Sequence, residues 1–337
     1  MKPFLDINGI EICGICSCLP ERCEDNLERC KVVYGDEKKA ESVVKATGIK
    51  SRRVADAETS SLDLCVAAAK KLLDDLGVSR NDIAAVINVT FTPERQMPCN
   101  ACQAQSRLDL PTDIVAFDIN LACSGWIYGL YVASMMAKAT SKKVLLLDGD
   151  VQTRHTDAAD VATVPVLADA GTATLVSPVN AGADNQSWRF AFLSNGAKGE
   201  ALSLPFGGKI SMDGLGVFKF VTMDVLYFIR DFLAGINSTP NEFDAFVPHQ
   251  ANVFMIQQIA KKLGFLSDKL WVSGDVFGNS SSASVPTTIA HCGQGVVSSA
   301  KDPLRLLVSG FGGGLSAAAA AITLPAGCKL DVFDYKH

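Results

Sequence analysis

The stretch from Ile114 to Ala139 constrains the fold more than any other part of the chain. An apolar run, Ile114 to Ile119, reads as a buried strand. Asn120 and a small-residue turn follow, and Ser124 to Ala139 then runs on with almost no charge. Its Trp126, Ile127, Leu130, Val132, Met135 and Met136 make this helix apolar nearly all round, which places it at the centre of the molecule. The whole is a strand, a turn and a helix, with Cys123 at the turn. A thiol there meets unpaired backbone N–H groups and the positive end of the helix dipole, which favour thiolate over thiol. Free cysteine is also a common small core residue, so on this stretch alone packing and nucleophile both stay open.

A buried central helix needs layers on both sides, and the rest of the chain supplies them. At 337 residues it exceeds the roughly 250–300 at which a single core stops growing, so two packed units are expected. Phe4 to Leu19 reads as a long strand or hairpin, and Asn26 to Val33 and Lys38 to Ala46 as charged surface helices. Ser60 to Leu76 is an amphipathic helix stopped by Gly77, and Ala84 to Val89, Lys143 to Leu147 and Ala170 to Val176 are buried strands. After Pro178 the order recurs. A long helix over Met212–Leu233 precedes a strand over Phe243–Val247, a helix over Val253–Leu263, a glycine/serine loop running into a helix over Gly278–His291, and strands at Leu304–Ser309 and Leu315–Leu324. The expectation is α/β, with similar halves at 1–176 and 177–337 forming one rigid body, each with one mostly parallel sheet.

Charge and cysteine usage exclude several classes. The net charge of -5 and the lack of a basic stripe argue against a nucleic-acid partner. Asp6 and Glu11 interrupt any signal-peptide core, and Arg305 with the Gly312-Gly313-Gly314 break makes Leu304–Thr323 two strands rather than a membrane span. A cytoplasmic protein with reduced thiols is expected from its 11 cysteines. Cys13 with Cys16, and Cys99 with Cys102, have zinc-like spacing. The first pair falls in a strand, the second flanks a helix start over Ala101–Leu108, and no histidine is near either, so no metal is expected.

Three further stretches carry chemistry. Val247-Pro-His249-Gln-Ala-Asn252 puts a histidine at a strand C-terminus, where open α/β sheets place ligands. Gly278-Asn279 through Ser284 puts an amide in a turn that composition alone would make a flexible loop. Gly310-Phe-Gly-Gly-Gly314 offers bare backbone N–H groups to an oxyanion, or is a plain glycine hairpin.

Taken together with Cys18-Leu-Pro20, Thr47-Gly-Ile49, Met97-Pro98 to Cys102, Val217-Phe-Lys219 and Ala260-Lys-Lys-Leu-Gly264, these stretches resemble the 3-oxoacyl-(acyl-carrier-protein) synthase III group of the thiolase-like condensing enzymes. The resemblance implies a duplicated five-layer αβαβα fold, a homodimer and no cofactor. It implies Cys123 as the residue that takes an acyl group from a coenzyme A or carrier-protein thioester. His249 and Asn279 would hold the malonyl-type extender, and the N–H groups of Cys123 and Gly313 would form the oxyanion hole. It also implies carrier-protein docking at Lys219, Lys261 and Lys262, and an acyl pocket involving Phe218 and the partner subunit's reach through Met97. The lysines also read as solvated helix faces, and Met97 as filler.

The resemblance breaks at the entrance. Positions where the family grips the coenzyme A nucleotide with Trp and Arg hold Ser42, Ala46 and Val161, and a docking Arg is replaced by Phe254. Neither stacking nor phosphate pairing is available from Ser or Ala. The expected donor is therefore not acetyl-coenzyme A but a carrier-bound acyl group, as in specialised-metabolism relatives. Two other readings stand beside the condensing enzyme: a cysteine hydrolase built on Cys123, His249 and Asn279, and a non-catalytic or acyl-transfer-only partner subunit.

Overall fold

The computed structural model describes residues 4–179 and 187–336. Two sheets and three layers of helices alternate. The first sheet runs, in spatial order, Lys329–Asp334, Ile10–Leu19, Ala170–Pro178, Lys143–Asp150, Ile83–Val89, Val115–Ile119. The second runs Leu5–Ile7, Trp188–Ser194, Ser316–Leu324, Leu304–Gly312, Ala245–Pro248.

Helices Gly125–Thr140 and Ser284–Ser299 lie between the sheets. Trp126, Ile127 and Leu130 from the first, and Val285 and Ile289 from the second, share one core with residues of both sheets. This is why the uncharged sequence of Gly125–Thr140 suits it: most of its surface is enclosed by the sheets, and only the side carrying Tyr128, Tyr131, Val132, Met135 and Met136 is left half-buried or exposed. The outer face of the first sheet is covered by Ser61–Asp75 and Asn100–Arg107. Ser60 and Asp63 close a reciprocal cap that fixes where Ser61–Asp75 begins. The outer face of the second sheet is covered by Val253–Leu263 and by a long helical segment. The expected Met212–Leu233 helix starts later, at Gly214, where the Asp213 side chain caps Leu215 N–H. It also contains a π-helical stretch, Phe220–Val225, before continuing as Leu226–Gly235. The expected five αβαβα layers are all present.

Three expectations about the sheets need correction. The mostly parallel pairing holds in the first sheet, where three of five strand pairs are parallel, but not in the second, where only Ala245–Pro248 against Leu304–Gly312 is parallel. Continuous apolar runs report burial on both faces, and helices on both sides bury antiparallel strands just as thoroughly. Val115–Ile119 is not fully buried; it is the edge of its sheet and half-exposed along most of its length. The ends of the chain also cross the expected boundary at 176/177. Phe4–Leu19 is two strands in different sheets: Leu5–Ile7 pairs with Trp188–Phe190, and the turn at Gly9 (φ 73°) sends Ile10–Leu19 into the other sheet. Lys329–Asp334, which the sequence reading left without structure, pairs parallel with Gly14–Leu19. Each half thus donates a strand to the other's sheet.

Candidate active site

The polar residues of interest sit where buried strands end between the two sheets. Cys123 follows strand Val115–Ile119 and precedes helix Gly125–Thr140, with 9% of its surface exposed. The strand Leu304–Gly312 passes so close that only glycine fits. A Cβ on Gly310 would stand 2.7 Å from the Cys123 carbonyl oxygen, and one on Gly312 2.8 Å from Sγ. Gly312 also has φ 156°, where other residues are strained. Three groups face the sulfur: the N–H of Gly313, the N–H of Cys123 itself and the Ser281 hydroxyl.

The thiolate expected from the helix N-terminus does not form spontaneously here. Burial pushes the Cys123 thiol up to about 11, and the Asp150 carboxylate adds to the shift, while the two N–H groups and Ser281 pull the other way. Desolvation wins because the sulfur has almost no contact with water.

His249 follows Ala245–Pro248 and is wholly enclosed, its ring edge-on to Phe311 at 5.4 Å. Burial lowers its pKa to about 4, so the ring is neutral. Its Nδ1 lies 2.8 Å from Ser284 Oγ, which already accepts from Gln250 N–H at 3.2 Å. The Ser281 carbonyl also faces the ring, as an acceptor for a ring N–H. Asn279 is held by its backbone: its N–H donates to Val166 at 3.0 Å, and its carbonyl accepts from Ala168 N–H at 2.8 Å and Gln152 Nε2 at 2.6 Å. The 163–168 segment is in turn tied down by the buried Asn26 and Arg52, which bond the Pro165 and Leu167 carbonyls. This turn is no flexible loop. The Asn279 side chain is also oriented: Oδ1 accepts from Ser281 N–H at 3.0 Å, so the NH2 end is left for an incoming oxygen.

Ser281 therefore joins all three stretches. Its N–H binds Asn279, its carbonyl faces the His249 ring, and its hydroxyl faces Cys123. Sequence reasoning quoted Ser281 only as part of a turn. The other residues it missed are Asp148 and Asp150, both fully buried at the end of Lys143–Asp150. Two carboxylates ending an otherwise apolar strand were the signal that could have found them.

The remaining expected residues lie apart from this cluster. Met97 is 85% exposed, and Phe218, Lys219, Lys261 and Lys262 are all on the surface. Ser42 and Ala46 are exposed, four residues apart on the outer side of helix Glu37–Thr47, which packs against Val253–Leu263 and its exposed Phe254. The Val161 carbonyl accepts from Tyr34 Oη at 2.8 Å. Cys13 and Cys16 lie on Ile10–Leu19, whereas Cys99 and Cys102 lie at the start of helix Asn100–Arg107 beside Val115–Ile119, four strand positions away in the first sheet, roughly 19 Å at about 4.8 Å per strand. They cannot share a metal ion. Among the described residues no helix is long and apolar enough to cross a membrane.

Comparison with known proteins places the fold in a family. The family model for 3-oxoacyl-[acyl-carrier-protein (ACP)] synthase III matches residues 117–196, and that for its C-terminal part matches residues 233–324. The chain is 31% identical over 340 residues to the beta-ketoacyl-[acyl-carrier-protein] synthase III of Syntrophomonas wolfei, covering 96% of this chain and 99% of the relative. It is 32% identical over 291 residues to that of Natranaerobius thermophilus, covering 81% and 88%. The crystal structure of a 3-oxoacyl-(acyl-carrier protein) synthase from Burkholderia xenovorans superposes with a TM-score of 0.92 at 32% identity, over 99% of both chains. The priming beta-ketosynthase of a polyketide biosynthetic pathway superposes at 0.83 with 27% identity, over 95% of this chain and 97% of that one. Fold and site thus define a thiolase-like condensing acyltransferase. Within that class, the chain belongs to the 3-oxoacyl-[acyl-carrier-protein] synthase III family.

Proposed function

We infer that Cys123 accepts an acyl group from a thioester and that the acyl-enzyme condenses with a malonyl-type thioester on a carrier protein to give a 3-oxoacyl product. The observation that carries this reading is the meeting of Cys123, His249 and Asn279 around Ser281. In the first half-reaction Sγ attacks the thioester carbonyl, and the oxyanion takes the Gly313 and Cys123 N–H groups that face the sulfur in the free protein. The donor's C–S bond then breaks, and the donor leaves as a thiol after protonation. In the second, CO2 leaves the extender. Its enolate oxygen rests between a ring N–H of His249 and the NH2 of Asn279, both neutral donors. The extender carbon attacks the acyl carbonyl, a C–C bond forms and the bond to Cys123 breaks. Thioesters alone supply this chemistry, and no step calls for a cofactor.

A hydrolase reading needs His249 as a base on the thiol. A ring held near 4 by burial, with Nδ1 against Ser284 and not among the groups facing the sulfur, is poorly suited to that.

The donor and the carrier follow from the surface. Exposed Ser42, Ala46 and Val161 give a nucleotide neither a stacking ring nor a guanidinium, which favours an acyl-carrier donor over acetyl-coenzyme A. Lys219, Lys261 and Lys262 supply positive charge for an acidic carrier, with Phe254 as an apolar contact among them. A homodimer is proposed from the unpaired edge at Val115–Ile119 and the projecting Met97, which a second copy would cover and receive beside Phe218. Intact mass after exposure to a panel of acyl-coenzyme A and acyl-carrier thioesters tests the reading, with Cys123→Ala as control. An adduct from a carrier-bound donor that vanishes in Cys123→Ala is expected. An adduct that persists there removes the nucleophile assignment, and no adduct from any donor points to a non-catalytic subunit.

A further inference from the structure

The attack of Cys123 leaves a proton to be placed, and the residues already named do not take it. Of the three groups facing Sγ, two are N–H donors and cannot accept. His249 and Asn279 are not among the groups that face it. Only the Ser281 hydroxyl can receive a proton, and a hydroxyl must pass one on as it does so.

What lies behind Ser281 is Asp150. Its carboxyl is fully buried, and Oδ1 is saturated by Thr90 Oγ1 at 2.8 Å, Phe91 N–H at 3.0 Å and Thr92 Oγ1 at 3.1 Å. Oδ2 has no partner of full hydrogen-bond geometry, and neither has Ser281 Oγ. The Ser281–Ala283 turn packs against the strand Lys143–Asp150, and the Ser281 hydroxyl bears on both the Asp150 carboxyl and the Cys123 sulfur. Ser281 reaches this position with φ 57°, a left-handed conformation uncommon outside glycine. Leaving two buried polar atoms short of a partner in a rarely adopted backbone state is costly, and function is the usual place for such a cost.

Building on the condensing reading above, we propose that Ser281 and Asp150 form the proton path of Cys123. As the S–C bond forms, the thiol proton passes to Ser281 Oγ while the Ser281 hydroxyl proton passes to Asp150 Oδ2. The departing donor thiolate takes its proton from solvent. When condensation later breaks the C–S bond, Asp150 returns its proton through Ser281 to the Cys123 thiolate, and the cycle closes. Ser281 touches the reacting atom; Asp150 acts through it. The ionisable groups bearing on Asp150 are Asp148 on its own strand, Cys65 from helix Ser61–Asp75 and Cys123. Asp148 is occupied elsewhere, accepting from Ser282 Oγ. Burial raises Asp150 to about 7, so it is able to accept a proton and to give it back near neutrality.

The test is single-turnover acylation of Cys123 by octanoyl-N-acetylcysteamine, followed by intact mass from pH 6 to 9 in the parent protein, Asp150→Asn and Ser281→Ala. The probe carries neither nucleotide nor carrier protein, so donor preference does not enter. The parent rate should rise with pH and level off above about 7. Both variants should be about a hundredfold slower at neutral pH, as for loss of a proton acceptor, and should lack the plateau. The double variant should be no slower than either single one. A purely electrostatic role predicts the opposite sign, because removing the Asp150 charge lowers the thiol's pKa. Asp150→Asn acylating as fast as the parent or faster overturns the proposal, as does a plateau that survives in Ser281→Ala. If Asp150→Asn does not fold, Ser281→Ala, which removes a single oxygen, decides the matter alone. Alkylation by iodoacetamide over the same pH range reads the same path without a thioester. A parent that alkylates with the plateau but is never acylated would sink the condensing reading while leaving the proton path standing.

Discussion

The two half-reactions use different ends of the Ser281 cluster, and Asn279→Asp separates them. The substituted side chain still offers an oxygen to Ser281 N–H, so the 3.0 Å bond that orders the turn is kept. What changes is the other end, where an NH2 donor becomes a carboxylate oxygen aimed at the same enolate. Loss of one oxyanion donor costs about 10²–10³ in rate. A negative charge about 4 Å from the enolate adds roughly 4 kcal/mol at an effective dielectric near 20, or about another 10³. Decarboxylation of a malonyl-carrier thioester, followed as released labelled CO2, should therefore fall by about 10⁵ or more at pH 8. Acylation of Cys123, followed by intact mass, should stay within about tenfold of the parent. Burial also raises the pKa of the new carboxyl, and its protonated form regains a donor, so the residual decarboxylation should increase as pH falls. Asn279→Ala makes the contrast: it loses the donor without adding charge, so it should decarboxylate faster than Asn279→Asp. It also leaves the buried Ser281 N–H unpaired, at about 1–3 kcal/mol of stability. Decarboxylation by Asn279→Asp within tenfold of the parent, or acylation lost along with it, would refute the assignment of Asn279 to the extender alone.

Three further outcomes follow from the same geometry. Because the folded His249 titrates near 4 and an unfolded one near 6.5, the unfolded chain binds the extra proton between those values. The parent should thus lose stability relative to His249→Asn as pH falls from about 6.5 to 4, read as a widening difference in melting temperature; a constant difference rejects the burial argument. Gly310→Ala forces a methyl to 2.7 Å from the Cys123 carbonyl oxygen, so denaturant unfolding should show a loss of about 1–3 kcal/mol, and an unchanged midpoint would mean the strand can retreat. Phe254→Arg should lower KM for a malonyl-carrier substrate about fivefold in low salt with kcat unchanged, since a rim charge adds binding common to ground and transition states. No change would remove Phe254 from the docking surface.

Most of this architecture was legible in the chain because burial writes itself into sequence. The uncharged run behind Cys123 reads as a largely buried helix, and it lies between the sheets, with only the Tyr128–Tyr131–Met135 side partly open. Helix Val253–Leu263 was readable to the residue, since Asn252 caps its start and Gly264 its end. Strand direction was not legible, because a strand covered on both faces looks the same whichever way its neighbours run. The short strands Leu5–Ile7 and Lys329–Asp334 escaped for another reason: their partners lie in the opposite half of the chain, so nothing local announces the exchange. At the candidate site, Cys123, His249 and Asn279, each singled out from its own stretch of sequence, come together around Ser281. Ser281 and Asp150 were not singled out, since a serine in a serine-rich turn and an acid at a strand end become informative only when folding brings them to one sulfur.

The centre and the entrance differ in how tightly their residues are held. Every group around Cys123 is fixed by several others: Gly310 and Gly312 by its close approach, Asn279 by Val166, Ala168 and Gln152, His249 by Ser284. A change at any of these must be accommodated by neighbours that are themselves packed, so the cluster resists piecemeal substitution. Ser42, Ala46, Val161 and Phe254 instead face outward from helices and a loop. Their replacement leaves the caps and carbonyl bonds of those elements intact: Asp36 still caps Glu37–Thr47, and Asn252 still caps Val253–Leu263. Donor choice is therefore the property this fold can alter without disturbing the chemistry. On the proposed reading, outward residues such as Ser42, Ala46, Val161 and Phe254 would then set the acyl supply while the Cys123 cluster keeps the chemistry.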